Sequence, residues 1–251
     1  MTVVAGATLL EAASLLGQSR SGIAFTGAGI SAESGIPVYR GEGGLWTKFD
    51  PYKVAHIDTF KRDPSQYWSY SRDHRRTDAQ PNPAHDAVVD LERRGHLRAV
   101  ITQNTDGLHQ RAGSGHVVEL HGSSHSVVCL DCERRFPRAD IDRMNREQCP
   151  PTCPGCGGRY LKPTVVMFGE ALPPEALQEA QSLAMAADVV LIVGSSLQVY
   201  PAAGIPRLAR EYGAQLCIIN AEPTSFDSLA AVVIHGKAGE ILPAIVERIA
   251  S

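Results

Sequence analysis

Four cysteines stand in two tight pairs, Cys129-x-x-Cys132 and Cys153-x-x-Cys156, with twenty residues between the pairs. Each Cys-x-x-Cys turn aims two sulfurs at one point, and two such turns supply the four thiolates of a tetrahedral zinc site. A closed tetrahedron keeps no position for water or substrate, so one zinc held there is structural. Free thiols and a redox Cys-x-x-Cys are the competing readings, and the doubled pair at this spacing speaks against both. Cys149 lies near the second pair but breaks its spacing, and Cys217 falls in an apolar run as a core residue.

A second group of residues suits an anionic ligand. Gly27, Gly29 and Ala32 form a Gly-x-Gly-x-x-Ala turn straight after the apolar run Gly22-Ile23-Ala24-Phe25. Such a turn from strand to helix lets the backbone approach a diphosphate and offers N–H groups at the helix start. The same pattern also serves as a purely structural turn. Gly194, Ser195 and Ser196 follow another apolar run and fit a phosphate or ribose contact, or an unliganded turn. Gln103, Asn104 and Asp106 follow residues 97–102, at the carboxyl edge where open α/β sheets bind ligands. They read as ligand contacts or as loop caps. Asn220 ends a further strand, in reach of a ribose.

His121 closes a short strand over residues 117–120 and is followed by Gly122. An imidazole at a sheet's carboxyl edge suits general-base work near neutral pH, and the spacing fits a capping histidine equally. Nine histidines are present. His109 reads as a group standing behind the ligand contacts and His85 as a structural residue near a helix start. His56, His74, His96, His116, His125 and His235 read as surface or helix-end residues. No Ser-His-Asp order and no nucleophile elbow is present.

To position these groups the chain must alternate strands with helices. Strands are expected over residues 22–25, 97–102, 117–120, 188–193, 214–219 and 232–234. Helices are expected over 9–16, 64–76, 84–94, 174–186, 204–212 and 239–250, giving an α/β fold with a parallel sheet. Residues 41–81, rich in Gly, Pro and Asp breakers among short helical pieces, intervene before the second strand. In a hydride-transferring enzyme that strand follows the glycine turn quickly, so the insertion argues against an ordinary dehydrogenase.

The chain has 251 residues, 43% hydrophobic and 20% charged, with a formal net charge of −3. That is long enough for a substantial core, and no basic field points to nucleic acid or an acidic membrane. The N-terminal stretch lacks the basic region of a signal peptide, and no apolar run is long enough to span a bilayer. The cysteine pattern is not that of a secreted disulfide scaffold, so a cytoplasmic setting is expected.

The segments GAGISAESGIP, TQNTDGLHQRAG, LHG, the two Cys-x-x-Cys pairs, KPTVVMFGE, GSSLQVYPA and IINAEPT occur in one order across almost the whole chain. Together they resemble the sirtuin family in its prokaryotic single-domain form. The resemblance implies NAD-dependent removal of acyl groups from lysine side chains of proteins, with NAD as cosubstrate and one structural Zn. The products are nicotinamide, O-acyl-ADP-ribose and free lysine. It implies a Rossmann-like NAD-binding domain (residues 1–40, 82–124 and 160–251) and a small domain. The latter is made of a helical insertion (41–81) and a zinc ribbon (125–159). Acetylated protein lysine is the expected partner of a monomeric enzyme, with no nucleic acid and no membrane.

Carried over by residue, the resemblance makes His121 the general base and places Asn104 and Asp106 at the nicotinamide pocket and ribose. Ala28, Ile30, Ser31 and Arg40 line the nicotinamide and phosphate region, under the ring of Tyr39. Gln103, Ser195 and Ser196 reach ribose and phosphate, Asn220 and Glu222 the adenosine end, and Ala238 the adenine. Val166, Met167, Phe168, Gly169 and Glu170 pair with the substrate peptide as a strand.

Three features depart from the family pattern. Tyr39 replaces a common Phe, and Thr105 replaces Ile or Val. Members that prefer succinyl or malonyl groups carry Tyr and Arg three residues apart in the inserted helix. Here Arg72 has Ser69 at that distance, Tyr67 and Tyr70 are three apart without an Arg, and Glu42 adds a carboxylate. A deacetylase with weak or absent desuccinylation is therefore expected. An ADP-ribosyltransferase and a desuccinylase or broad deacylase are the alternatives.

Overall fold

The computed structural model describes residues 6–41 and 43–249. The first five residues of the N-terminal stretch, the Glu42 carboxylate and Ala250 of the expected closing helix lie outside that range. The described strands are β1 (Gly22–Thr26), β2 (Leu97–Thr102), β3 (Val117–Glu119), β4 (Gly122–Cys129), β5 (Arg135–Pro137), β6 (Leu161–Val165), β7 (Val189–Val193), β8 (Gln215–Asn220) and β9 (Val232–His235). Six of them build one parallel sheet in the order β3-β2-β1-β7-β8-β9. The chain winds outward from β1 in one direction and from β7 in the other. The crevice at their carboxyl ends is therefore the switch point where such sheets bind ligands.

Both faces of this sheet are covered, which is why its strands read as continuous apolar runs. The helices Gly6–Gln18, Pro83–Arg93 and Ala238–Val246 pack Leu16, Val88, Leu91 and Ile245 against Ala24, Val100, Leu191 and Val193. On the opposite face Pro174–Met185 and Gly204–Glu211 bring Ala180, Ala184, Ile205 and Ala209 against Phe25, Ile101, Val190 and Ile192. Each fully buried aliphatic or aromatic side chain contributes about 1.5–3 kcal/mol. The Pro83–Arg93 helix starts as its sequence dictates. Asn82 Oδ1 accepts from Ala84 N (2.9 Å) and His85 Nδ1 accepts from Asn82 N (3.3 Å), a reciprocal cap with proline in the first turn.

The segment after the glycine turn differs from the expected α-helix. Ala28–Ser34 winds as a short 3-10 helix that stops where Gly35 turns left-handed at φ 79°. Pro37, two residues on, bars its resumption.

A second sheet, antiparallel in the order β5-β4-β6, carries the cysteine turns. Its strands start at Gly122 and end at Val165, beyond the span 125–159 of the sequence reading. An additional helix, Arg138–Glu147, lies between the two cysteine pairs. The inserted module is the run of helices Pro51–Val54, Ile57–Arg62 and Pro64–His74, the last capped by Asp63, whose Oδ1 accepts from Ser65 N (3.1 Å). It joins the small sheet through one core of Ile57, Phe60, Trp68, Val127, Ile141, Leu161 and Met167. Trp68 is its hub, fully buried, donating from Nε1 to Leu161 O (3.0 Å) and accepting from Asn145 Nδ2 (2.9 Å) at its own carbonyl. Among the described residues no helix is long and apolar enough to cross a membrane.

Candidate active site

A cleft of about 440 Å³ opens between the large sheet and the small unit. Of the residues singled out by sequence, it gathers Ala28, Tyr39, Arg40, Gln103, Asn104, Asp106 and His121 on one side. On the other it gathers Val166, Met167, Phe168, Gly169 and Glu170. Gly27, Gly29, Ser31, Ala32, Gly194, Ser195, Ser196, Asn220, Glu222 and Ala238 stand outside this wall, most of them along the carboxyl edge of the sheet.

Ile30 is the clearest difference. Its side chain is fully buried in the core, where its turn packs on the Ala238–Val246 helix, and is no wall of the cleft. The glycines, too, answer to a nearer constraint than a diphosphate. Gly27 N donates to Val193 O (3.1 Å) and Gly29 N to Gly194 O (2.8 Å), so these N–H groups are taken. A Cβ on Gly29 would lie 2.6 Å from Gly194 Cα, and Gly194 itself sits at φ 62°. Strands β1 and β7 are neighbours, so their two turns must pass in contact, and only glycine permits it.

Behind the cleft wall the polar groups form one network. Ser31 Oγ donates to Asp106 Oδ2 (2.8 Å) and receives Asn104 Nδ2 (3.2 Å). Asn104 Nδ2 also donates to Gly27 O (3.1 Å), so its amide hydrogens are spent on the glycine turn and Oδ1 is what it has left to offer. Asp106 Oδ1 accepts from Leu108 N (2.9 Å), so this carboxylate caps a loop as well as lining the cleft. His85 Nε2 approaches Ser31 Oγ at 3.5 Å, which brings a helix-capping residue up to the site. Gln103 donates from Nε2 to Ser195 Oγ (2.8 Å), tying the edges of β2 and β7 together.

His121 comes just after β3, held over the cleft by a 2.9 Å contact between its Nδ1 and Gln103 O. A carbonyl only accepts, so Nδ1 carries the hydrogen and Nε2 keeps a free lone pair. Burial lowers the pKa of this imidazole below the ordinary value, and the carbonyl contact opposes that more weakly. The ring is a neutral base at physiological pH. Tyr39 stacks on Trp46 (centroids 5.0 Å apart), and Trp46 meets the edge of Phe168 (6.2 Å). These aromatic rings flank the cleft together with Thr105.

The stretch after β6 is less open than a bare strand edge. Val166 N donates to His121 O (2.8 Å), Phe168 N to Ala55 O (2.8 Å) and Ile57 N to Phe168 O (3.0 Å). Glu170 turns inward, accepting from Met167 N (2.8 Å) and pairing with the buried Lys162 (2.8 Å).

The four sulfurs of Cys129, Cys132, Cys153 and Cys156 all lie within 4.8 Å of one another. Two of the edges measure 3.7 Å (Cys129 to Cys156) and 3.8 Å (Cys132 to Cys153). A tetrahedron with sulfurs about 2.3 Å from a central zinc has edges of about 3.8 Å, so these residues fit the ion. Gly155 N points at Cys153 Sγ (3.4 Å), the N–H to sulfur contact that favours a thiolate.

Sequence reasoning missed Arg138 and the wall that it helps to form. Arg138 is 1% exposed and donates to Asp142 Oδ1 (2.7 Å), Ser71 Oγ (2.5 Å) and Tyr67 Oη (3.2 Å) beneath the inserted module. Its partners Tyr67 and Ser71 lie 71 and 67 residues away in sequence, and no local pattern joins them. Arg72, which the sequence singled out, is 40% exposed, pairs with Asp73 and does not line the cleft.

The family model of the Sir2 family matches residues 27–201. The NAD-dependent protein deacylase 2 of Archaeoglobus fulgidus is 51% identical over 241 residues, 95% of each chain. A solved structure described as the structural basis for the mechanism and regulation of Sir2 enzymes superposes with a TM-score of 0.93 at 50% identity, covering 97% of this chain and 98% of that one. A Sir2 structure with a deacetylated p53 peptide and 3'-O-acetyl ADP ribose has a TM-score of 0.91 at 38% identity, covering 94% and 96%. With the parallel sheet, the cysteine tetrahedron and these matches agreeing over nearly its full length, the chain belongs to the Sir2 family, the sirtuins.

Proposed function

We propose that this protein is an NAD-dependent protein-lysine deacetylase that releases nicotinamide and forms O-acetyl-ADP-ribose. The observation that carries the reading is His121. Its imidazole is neutral, its Nδ1 is tied to Gln103 O, and its Nε2 is free in a cleft shared with Asn104 and Asp106. That is the placement of a general base. NAD supplies the glycosidic bond that is broken and the ribose hydroxyl that gives up a proton. His121 Nε2 takes that proton, Asn104 offers Oδ1 to the ribose, and Asp106 holds its place through Ser31. Tyr39, Arg40 and Ala28 cover the nicotinamide side. Gly27, Gly29, Ala32, Ser195 and Ser196 stand along the diphosphate run toward Asn220, Glu222 and Ala238, with the buried Ser31 behind them. The acyl-lysine enters beside residues 166–170, where Phe168 packs on its alkyl stem. The cysteine set holds one zinc that keeps the small unit folded.

The test is a product analysis. Protein incubated with NAD and an acetylated peptide should yield nicotinamide, free peptide and O-acetyl-ADP-ribose in equal amounts. ADP-ribose attached to protein, with the peptide still acetylated, would replace this reading by an ADP-ribosyltransferase.

A broader acyl range is favoured by one observation. The same cleft continues from His121 to Tyr67, Tyr70 and Ser71 under the inserted module. That leaves room beyond an acetyl group for longer acyl chains.

A further inference from the structure

His109 has no part in the chemistry above, yet it is buried beneath it. It lies in the short helix Leu108–Ala112, is 1% exposed, and sits with its ring 5.0 Å from that of His85 in an edge-to-face arrangement. Its Nε2 is 2.9 Å from Thr26 Oγ1. Thr26 and Thr102 are the last residues of β1 and β2 and face each other in register. Thr26 Oγ1 donates to Thr102 Oγ1 (2.8 Å), and Thr102 Oγ1 accepts the main-chain N–H of Asn104 (3.0 Å). With its own proton given to Thr102, Thr26 Oγ1 can only accept from the histidine. His109 is then the Nε2–H tautomer, and Nδ1 is a bare lone pair. Among the described residues that Nδ1 has no hydrogen-bond partner.

The orphaned nitrogen decides between two roles. A residue kept only to fill this space would be better as a phenyl ring, because a buried polar atom without a partner weakens the fold. Histidine is kept at that cost, so what it adds is the donor at Nε2. The donor ends a three-member relay, His109 to Thr26 to Thr102, that fixes the main chain where Asn104 begins. We propose that His109 is a positioning residue of the deacylation reaction, acting through Thr26 and Thr102 to hold Asn104 in place against the glycine turn. Burial, with the neighbouring His85 second, lowers its pKa to about 3, so the tautomer is held neutral across the working pH range. The inference rests on the deacylase reading, and its closing experiment has an arm that does not.

That arm is nitrogen-15 NMR of histidine-labelled protein. His109 should show one neutral Nε2–H ring, unchanged between about pH 8 and pH 5. An Nδ1–H tautomer, or titration within that window, would overturn the proposal whether or not the protein is a deacylase. The activity arm compares variants. His109→Phe should melt no lower than wild type and lose kcat by about tenfold or more, with KM for the acetylated peptide unchanged. Thr26→Val should lose kcat similarly, and the double variant should lose no more than either single one. His109→Gln, which can offer an amide donor, should recover part of the loss. Loss of activity in step with loss of melting temperature would show a packing role and overturn the proposal. So would full kcat in His109→Phe, or additive losses in the double variant. Absence of deacylation by the wild type would instead overturn the reading of function and leave the NMR result standing.

Discussion

His121 Nδ1 lies 2.9 Å from the carbonyl oxygen of Gln103, and this contact decides which ring nitrogen can act as the base. Burial lowers the histidine's pKa from the ordinary 6.5, so the base form dominates through neutral pH. We expect kcat/KM for an acetylated peptide to be flat through neutral pH and to fall on the acid side, with an apparent pKa below 6.5. His121→Ala should cost on the order of 10²–10⁴ in kcat, measured by nicotinamide release. Full turnover by that variant would remove His121 from the chemistry.

The cysteine tetrahedron makes a prediction about folding. Cys129 and Cys153 are also part of the small unit's apolar core, with Trp68 and Leu161. Removing the ion therefore opens the core as well as the site. Metal analysis should find one zinc per chain. Chelation should abolish cooperative melting of the small unit, since binding energies at such sites are on the order of 10 kcal/mol. Cys132→Ser should lose the metal. Cys149→Ser should keep it, because Cys149 is exposed and outside the cluster.

Much of this was legible in the sequence, and the limits have physical causes. Strands buried on both faces announce themselves as apolar runs, and the cysteine turns carry their own spacing, so the α/β sheet and the metal site could be read directly. The side chains of Gln103, Asn104, Asp106 and His121 meet in one cleft because the ends of neighbouring strands bring polar residues together. What failed was what depends on contacts between distant segments. Ile30 sits in a motif that reads as ligand-facing, but its side chain belongs to the buried core and its turn packs on the Ala238–Val246 helix, far away in the chain. The glycines at 27 and 29 answer to Gly194, and nothing near them in sequence says so. Arg138 meets Tyr67 and Ser71 only after the zinc ribbon folds back under the inserted module.

Lys162 is 6% exposed and meets Glu170 at 2.8 Å, Val165 O at 2.8 Å and Pro163 O at 3.2 Å. The same Glu170 oxygen accepts from Met167 N. This lysine therefore fixes the bend in residues 166–170, the stretch proposed above to meet the peptide. Lys162→Met should leave Glu170 without its cation, loosen the bend and raise KM for the acetylated peptide about tenfold, with a smaller effect on KM for NAD. The accompanying loss of stability should be about 1–3 kcal/mol, because Glu170 is partly solvated. Unchanged peptide KM would show that the bend is set by the backbone alone.

Acid should weaken the fold through the buried histidines. An unfolded His109 takes up its proton near pH 6.5, whereas the folded one resists until about pH 3. Between those values the unfolded state binds more protons, so stability falls as the pH falls. The slope is at most about 1.4 kcal/mol per pH unit for one such group. His85, also lowered by burial, adds in the same direction. The urea midpoint should therefore drop progressively from pH 6.5 downward, and His109→Phe should flatten that slope. A slope left unchanged by the substitution would assign the acid sensitivity to other groups.

We expect acyl choice to turn on Asp142. Arg75 and Arg138, which both line the cleft, bond this one carboxylate at 2.8 Å and 2.7 Å. Their positive charge is partly spent there, and an incoming acyl carboxylate would compete with Asp142 for the same donors. Wild type should therefore remove acetyl faster than succinyl from one peptide. Asp142→Asn keeps the shape and removes the competing charge, leaving two cations facing the cleft end. The ratio of succinyl to acetyl rates should rise about tenfold, the equivalent of about 1.4 kcal/mol of added attraction. Neutral propionyl and butyryl rates should hardly move, which separates a charge effect from a loosened wall. If the succinyl ratio stays where it was, the acyl group does not reach Arg138, and the cleft beyond Phe168 serves something other than the acyl chain.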